Sequence, residues 1–180
     1  YNRNKVVVFN TFQLYRHDRL VFLQQSYEEA KSKNYLLGAK LVRGAYMEKE
    51  RKRAAEMNYP DPIQPNKEAT DKDFNEAVRF CLEHLDRIHL FIGTHNEYSC
   101  RVATEILEQK GIPKNIDSVH FSQLYGMSDN ISFNLAKDGY AVSKYLPYGP
   151  VGDVIPYLMR RAEENTSVAG QTGRELSLIR

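Results

Sequence analysis

The feature that most constrains this chain is a regular alternation of strand-like and helix-like segments. Five short apolar runs recur along the sequence, and stretches with apolar residues at helical spacing separate and follow them. This order predicts parallel strands joined by crossover helices, because parallel neighbours cannot be connected by a tight turn. The predicted strands are Lys5–Asn10, Leu37–Val42, His89–Thr94, Ser118–Ser122 and Tyr140–Leu146.

Two parallel α/β architectures fit this order: an open doubly wound sheet and part of a (β/α)8 barrel. No G-x-G-x-x-G motif follows the first predicted strand, which disfavours a dinucleotide-binding sheet of Rossmann type. A complete barrel takes roughly 250 residues. The chain has 180 residues, so a complete barrel does not fit, and its length predicts a single domain over residues 1–180.

Composition excludes several classes of protein. The formal net charge of +2 is too small for a nucleic-acid-binding surface, which concentrates positive charge. The apolar runs are too short to cross a bilayer. Cys81 and Cys100 are too few for a disulfide framework and fit a reducing compartment. The sequence begins with Tyr1, without an initiator Met or a signal peptide, so we expect it to start within a longer protein.

Polar and small residues follow the predicted strands, where parallel α/β proteins place their functional groups. Amide, hydroxyl, imidazole and guanidinium groups beside apolar ones suit a large planar ligand with polar edges and a phosphate tail. Taken singly, His95 can equally hydrogen-bond the backbone, and Gln13 can be an ordinary loop residue. The side chains show no metal-ligand spacing, so no metal site is predicted. The residues at these ends include Gln13, Arg43, Gly44, Tyr46, Thr94, His95, Leu124 and Tyr145.

Three basic residues stand out by their position. Lys40 lies inside an apolar predicted strand, where an amine must reach solvent or find a partner. Arg160 and Arg161 are adjacent on the last predicted helix, with Tyr157 and Glu164 on the face of Arg161. Two guanidinium groups can bind a substrate carboxylate, and they equally suit a solvated helix C-terminus. Both interpretations remain open on these residues alone.

Taken together, five sequence blocks resemble the proline dehydrogenase family over about residues 9–165. The resemblance implies a (β/α)8 barrel with FAD at the carboxyl ends of the strands and the last helix above them. The five predicted strands correspond to family strands four to eight, so the chain resembles the C-terminal portion of the catalytic barrel, without its N-terminal strands. The blocks are Gln13 with Tyr15, GAKLVRGAYMEKER at 38–51, FIGTHNE at 91–97, QLYGMSD at 123–129 and YLPYGPVGDVIPYLMRRAEEN at 145–165.

The resemblance also implies roles for individual residues. Arg160 and Arg161 would bind the proline carboxylate, Tyr46 and Tyr145 would bracket the pyrrolidine ring, and Leu124 would pack beside it. Lys40, Arg43 and Tyr145 would act in catalysis. The positions that match FAD contacts are Gln13, Lys40, Arg43, Gly44, Thr94, His95, Arg161 and Glu164.

The activity implied by the resemblance is oxidation of L-proline to Δ1-pyrroline-5-carboxylate, by hydride transfer from C5 to the flavin N5, with electrons passing to a quinone. A bacterial protein would lie in the cytoplasm with peripheral contact to the inner membrane, and a eukaryotic one in the mitochondrion. An incomplete barrel exposes an apolar edge, which predicts homo-oligomers. Two alternatives stay open: a self-associating half-barrel that is inactive alone, and an aldolase-like lyase that uses Lys40 as a Schiff base.

Overall fold

A computed structural model describes the backbone of residues 1–167 and the side chains of residues 1–161. Strands and helices alternate along this part of the chain. The strands are β1 (Asn10–Gln13), β2 (Leu37–Val42), β3 (Ile88–Gly93), β4 (Val119–Leu124) and β5 (Val142–Tyr145). The helices are α1 (Arg19–Ser32), α2 (Met47–Met57), α3 (Lys67–Glu83), α4 (Glu97–Gln109), α5 (Asp129–Lys137) and α6 (Val151–Ser167).

The five strands form one parallel sheet in the order β1-β2-β3-β4-β5. A doubly wound sheet reverses its strand order at a switch point, whereas here each strand pairs with the next one in the sequence. Sequential order is the winding of a (β/α)8 barrel. The prediction of an incomplete α/β barrel with parallel strands is therefore confirmed.

The two faces of the sheet have different roles, because side chains alternate along each strand. On β2, Ala39 and Leu41 are fully buried on the face that packs against the helices. Residues of β3 and α3 complete this core, in which Leu90, Phe74 and Val78 are also fully buried. Lys40 lies between Ala39 and Leu41 and therefore points to the opposite face, which corresponds to the barrel interior.

Aromatic side chains fill part of the interior face. Phe9 packs edge-on against Phe91 with ring centroids 5.1 Å apart. Phe91 stacks in turn on His120, with centroids 4.9 Å apart. The Phe91 and His120 rings lie in the same cross-strand row as Lys40, since Lys40 pairs with Phe91 and Phe91 pairs with His120. They form the floor beneath the carboxyl ends of the strands.

The predicted bounds of four strands were wrong: β1, β3, β4 and β5 begin and end at other residues than predicted. The first strand begins at Asn10 instead of Lys5, because the Asn2 side chain accepts hydrogen bonds from the backbone N–H groups of Val7 and Val8, each 3.0 Å long. These groups therefore do not pair with β2. Helix α3 begins at Lys67 because the Asn66 side chain caps it by accepting the Ala69 N–H at 2.8 Å.

The chain divides into two compact units, Tyr1–Tyr145 and Leu146–Arg180. The first contains the sheet and α1 to α5, and the second contains α6. The expectation of one domain over residues 1–180 stays a prediction. Within the described residues, no helix is long and apolar enough to cross a membrane.

Candidate active site

Lys40 is a half-buried cation on the interior face. Its ammonium lies 5.4 Å from the centroid of the Tyr145 ring, a distance at which a cation is attracted to the aromatic face. Burial alone lowers the pKa of the Lys40 amine, because the apolar surroundings disfavour its charged form. Lys40 and Tyr145 line a cavity of about 280 Å³ together with Phe9 and Phe91. The amine therefore faces a space that a ligand can enter.

Leu124 and Tyr145 form the neighbouring wall of the site. They are register partners at the carboxyl ends of β4 and β5, and the Tyr125 N–H donates to the Tyr145 carbonyl at 2.9 Å. Leu124 is buried, while the Tyr145 side chain is exposed on one side. An aliphatic side chain beside a partly exposed aromatic ring can pack against a small apolar ring of a substrate.

Arg43 lies on the other side of the sheet from Lys40, among residues of the helix layer. Its Nε donates to Asp71 at 2.6 Å, its Nη1 to Thr94 Oγ1 at 2.7 Å and its Nη2 to Ser99 Oγ at 2.9 Å. The guanidinium also stacks over the Phe74 ring, 4.3 Å from its centroid. Arg43 thus joins the end of β2 to the end of β3 and to helices α3 and α4.

The Asp71 carboxylate is the counter-ion of this arrangement. Burial would raise its pKa, but hydrogen bonds from Lys67 and Arg43 outweigh burial, so the pKa of Asp71 lies below its ordinary value. The carboxylate therefore keeps its charge at neutral pH and holds Arg43 in place.

Thr94 and His95 follow β3 at the mouth of the barrel. The buried Thr94 hydroxyl oxygen accepts from Arg43 and also from the Asn96 N–H at 3.1 Å. With its oxygen accepting two hydrogen bonds, the hydroxyl can still donate its own proton. His95 Nδ1 lies 2.9 Å from the Ser128 hydroxyl, which fixes the orientation of the ring.

Gly44 marks the tight turn after β2. Its φ of +114° is a conformation that side chains disfavour, and a methyl group added there would overlap the Tyr15 ring. A methyl group added to Gly44 would also lie 3.1 Å from Gln13 Oε1, so Gln13 and Gly44 are neighbours. The turn leads to Tyr46, which directly precedes α2. Gln13, Gly44 and Tyr46 are thus brought together at one edge of the site.

Arg160 and Arg161 lie on α6, in the second compact unit. The Arg161 guanidinium lies 4.9 Å from the centroid of the Tyr157 ring, as expected for residues one helical turn apart. Glu164 belongs to α6 by its backbone, and its side chain lies outside the described residues. The binding roles of these three residues remain predictions.

Several residues that shape the site were not predicted. Gln123 is almost fully buried, donates to the Thr94 carbonyl at 3.2 Å and accepts from the Ser132 hydroxyl at 3.0 Å. Asp71 and Ser99 are the partners of Arg43. Gln123 belongs to the QLYGMSD block at 123–129 but was assigned no role, and Asp71 and Ser99 lie on helices whose polar residues look solvated.

Comparison with known proteins identifies the family. The sequence pattern described as "Proline dehydrogenase" matches residues 1–174. The chain belongs to the proline dehydrogenase family. It is 43% identical to human "Proline dehydrogenase 1, mitochondrial" over 182 residues, which covers 99% of this chain and 30% of that protein. Human "Hydroxyproline dehydrogenase" is 42% identical over 176 residues, covering 96% of this chain and 38% of that protein.

A solved structure supports the same relationship. The chain is similar to proline utilization A from Bdellovibrio bacteriovorus inactivated by N-propargylglycine, with a TM-score of 0.80 and 28% identity over 87% of this chain and 16% of that one. The family resemblance and the barrel fold are therefore confirmed. The chain spans about 30% of the length of its curated relatives.

Proposed function

We propose that this chain supplies the carboxyl-end half of a proline dehydrogenase active site, which oxidises L-proline to Δ1-pyrroline-5-carboxylate with FAD as cofactor. The observation that carries the proposal is the approach of Lys40 to Tyr145 across the interior face, beside a cavity at the ends of the strands. In parallel α/β barrels this end is where catalysis takes place.

FAD fits the groups available at this end of the sheet. The Lys40 ammonium is desolvated and no carboxylate contributes to its pKa shift, so it suits an electron-rich ring edge. The Thr94 hydroxyl has a proton left to donate to the cofactor. The Gln13 amide lies beside Gly44, and the absence of a side chain on Gly44 would let the cofactor come close to it. His95 would complete this set of contacts. When bound, FAD would supply the acceptor for the hydride from proline C5.

The proline site would lie between the aromatic residues. Tyr46 and Tyr145 would bracket the pyrrolidine ring, because both rings are partly exposed. The buried Leu124 would pack beside it as the register partner of Tyr145. Arg160 and Arg161 would bind the carboxylate through charge-assisted hydrogen bonds. Arg161 and Glu164 would also contact the cofactor.

The two basic residues of the β2 block would act differently. Lys40 would face the cofactor and favour the negative charge that reduction places there, since its ammonium lies at the interior face. Arg43 would act from the helix layer, where three of its nitrogen atoms already donate hydrogen bonds. Arg43 would hold Thr94 at the mouth of the barrel. Each of its two terminal nitrogens donates one hydrogen bond within the protein, so each would have a second N–H for the cofactor.

Further properties belong to the whole protein. We propose that a quinone accepts the electrons, and that the protein is mitochondrial in a eukaryote or cytoplasmic with peripheral contact to the inner membrane in a bacterium. For the 180-residue chain alone, we propose that copies associate through the sheet edge. The relatives named as mitochondrial support the first location. The edge strand β1, which pairs only with β2 in the described sheet, supports association.

The test compares Lys40→Met with Lys137→Met, an exposed lysine on α5, in the full-length protein. We expect proline-dependent reduction of a quinone analogue to fall about ten- to a hundredfold in Lys40→Met, the cost of one lost charged contact, and to stay unchanged in Lys137→Met. Assays with proline and with 4-hydroxyproline would decide which ring is the substrate. Covalent trapping of Lys40 by borohydride with a carbonyl substrate, without proline oxidation, would instead support a lyase.

A further inference from the structure

Tyr15 contacts the turn after β2 along its whole length. Its backbone N–H donates to the Arg43 carbonyl at 2.8 Å, and the Leu14 N–H donates to the Val42 carbonyl at 2.9 Å. The Tyr15 ring occupies the space that a side chain on Gly44 would need. Tyr15 is only 1% exposed, so the ring cannot move aside without opening the core.

The same side chain reaches past the turn to the helix that follows it. The Tyr15 hydroxyl donates a hydrogen bond to Glu50 in the first turn of α2, and the Arg16 guanidinium binds the other oxygen of that carboxylate. The segment between Arg43 and Glu50 is therefore attached at both of its ends to the residues that follow β1. Tyr46 lies in the middle of this segment and directly precedes α2.

The pair is set in surroundings that make it costly to disrupt. Burial, followed by the hydrogen bond to Glu50, raises the pKa of Tyr15, so the hydroxyl remains a donor at every physiological pH. Tyr15 is almost fully buried and Glu50 is partly buried, so breaking their hydrogen bond would leave both groups imperfectly solvated. The hydrogen bond therefore restrains the turn instead of forming one of several equivalent surface contacts.

We infer that Tyr15 and Glu50 are positioning residues that hold the 43–50 segment, and with it Gly44 and Tyr46, in the geometry that the proline and cofactor sites require. Neither residue would touch the substrate. This inference rests on the proposed function for its kinetic consequences, whereas the attachment itself can be measured without any activity.

The chain offers a matched control. Tyr140 is also a buried tyrosine whose hydroxyl donates to a glutamate, Glu108, at 3.1 Å. It lies just before the start of β5, at the opposite end of the strands from the site. Tyr15→Phe and Tyr140→Phe delete the same atom from the same kind of contact. Any difference between them reports on the position of the contact and not on the loss of a hydroxyl.

The first measurement is backbone hydrogen exchange in the full-length protein. We expect amides of residues 44–50 to exchange about tenfold faster in Tyr15→Phe, because one hydrogen bond to a charged group restrains them. Tyr140→Phe should leave their exchange unchanged. Equal exchange at residues 44–50 in wild type, Tyr15→Phe and Tyr140→Phe would overturn the inference.

The second measurement is steady-state kinetics with proline. We expect Tyr15→Phe to raise KM about tenfold with a smaller change in kcat, because a displaced Tyr46 weakens binding of substrate and transition state alike. Glu50→Ala should raise KM at least as much, because it also removes the ion pair with Arg16. Adding Tyr15→Phe to Glu50→Ala should change little, since the hydroxyl has then already lost its acceptor. Glu50→Gln keeps an acceptor for Tyr15 and should largely restore KM.

The outcomes separate the two proposals. Wild-type protein that fails to oxidise proline would refute the proposed function, while hydrogen exchange would still decide whether the attachment exists. Faster exchange in Tyr15→Phe with unchanged KM would show that the attachment serves stability alone and would overturn the positioning role. Fully additive effects of Tyr15→Phe and Glu50→Ala would also contradict it.

Discussion

Gly44→Ala is the substitution with the clearest structural consequence. The residue has φ of +114°, and the new methyl group would overlap two ring carbons of Tyr15. A non-glycine residue in such a conformation costs about 1–3 kcal/mol, and a methyl group forced into a packed site costs typically about 1–3 kcal/mol more. Together these terms predict a loss of about 2–6 kcal/mol in the free energy of unfolding.

Gly111→Ala is the matched control. Gly111 has φ of +64°, and a methyl group there would meet no atom within 4 Å. Only the backbone term applies, so we expect a loss of about 1–2 kcal/mol. The difference between the two variants isolates the overlap with Tyr15.

Urea unfolding followed by circular dichroism measures both variants. With a slope of about 2 kcal/mol per molar urea, Gly44→Ala should lower the midpoint by about 1–3 M, and Gly111→Ala by about 0.5–1 M. Equal midpoints for the two variants would refute the close packing of Tyr15 against the turn. The flavin content of each variant should be measured in parallel, because Gly44 also lies at the proposed cofactor site.

Three further outcomes follow from the same structure. Arg161→Met should raise the proline KM by about one to two decades, and more than Arg160→Met does; unchanged KM in both would leave them a solvated pair. Asp71→Asn should lower stability by about 1–3 kcal/mol at neutral pH. The pKa of Asp71 is lowered in the folded protein. The charged carboxylate therefore stabilises the fold above about pH 4, and this stabilisation is lost as the pH falls below that value. The stability of Asp71→Asn should not show this loss. Light scattering should detect dimers or larger assemblies of the 180-residue chain, and a stable monomer would contradict association through the β1 edge.

Local patterns in the sequence predicted the two central strands β2 and β3 to within one residue. β2 has the predicted bounds, Leu37–Val42, because its apolar run begins and ends with the strand itself. β1 differs because the Asn2 side chain, outside the run, takes up the N–H groups of Val7 and Val8. A side-chain contact of this kind leaves no periodic signal in the sequence.

The chemistry of the site was predicted unevenly for a similar reason. Lys40 is conspicuous in the sequence because an amine inside an apolar strand must reach solvent or find a partner. The structure places it at the interior face. The environment of Arg43 was not predictable, because its partners Asp71, Thr94 and Ser99 lie 28, 51 and 56 residues away along the chain. Contacts over such separations depend on the packing of helices against the sheet.

The most direct test of the central claim is the visible absorbance spectrum of the purified full-length protein before and after anaerobic addition of L-proline. We expect flavin bands in the isolated protein and their loss on addition of proline, because the cofactor would take up the two electrons. Lys40→Met should bind flavin more weakly or bleach more slowly, while Lys137→Met should behave like the wild type. A protein without flavin bands after reconstitution with FAD, or one whose bands persist in excess proline, would contradict the account.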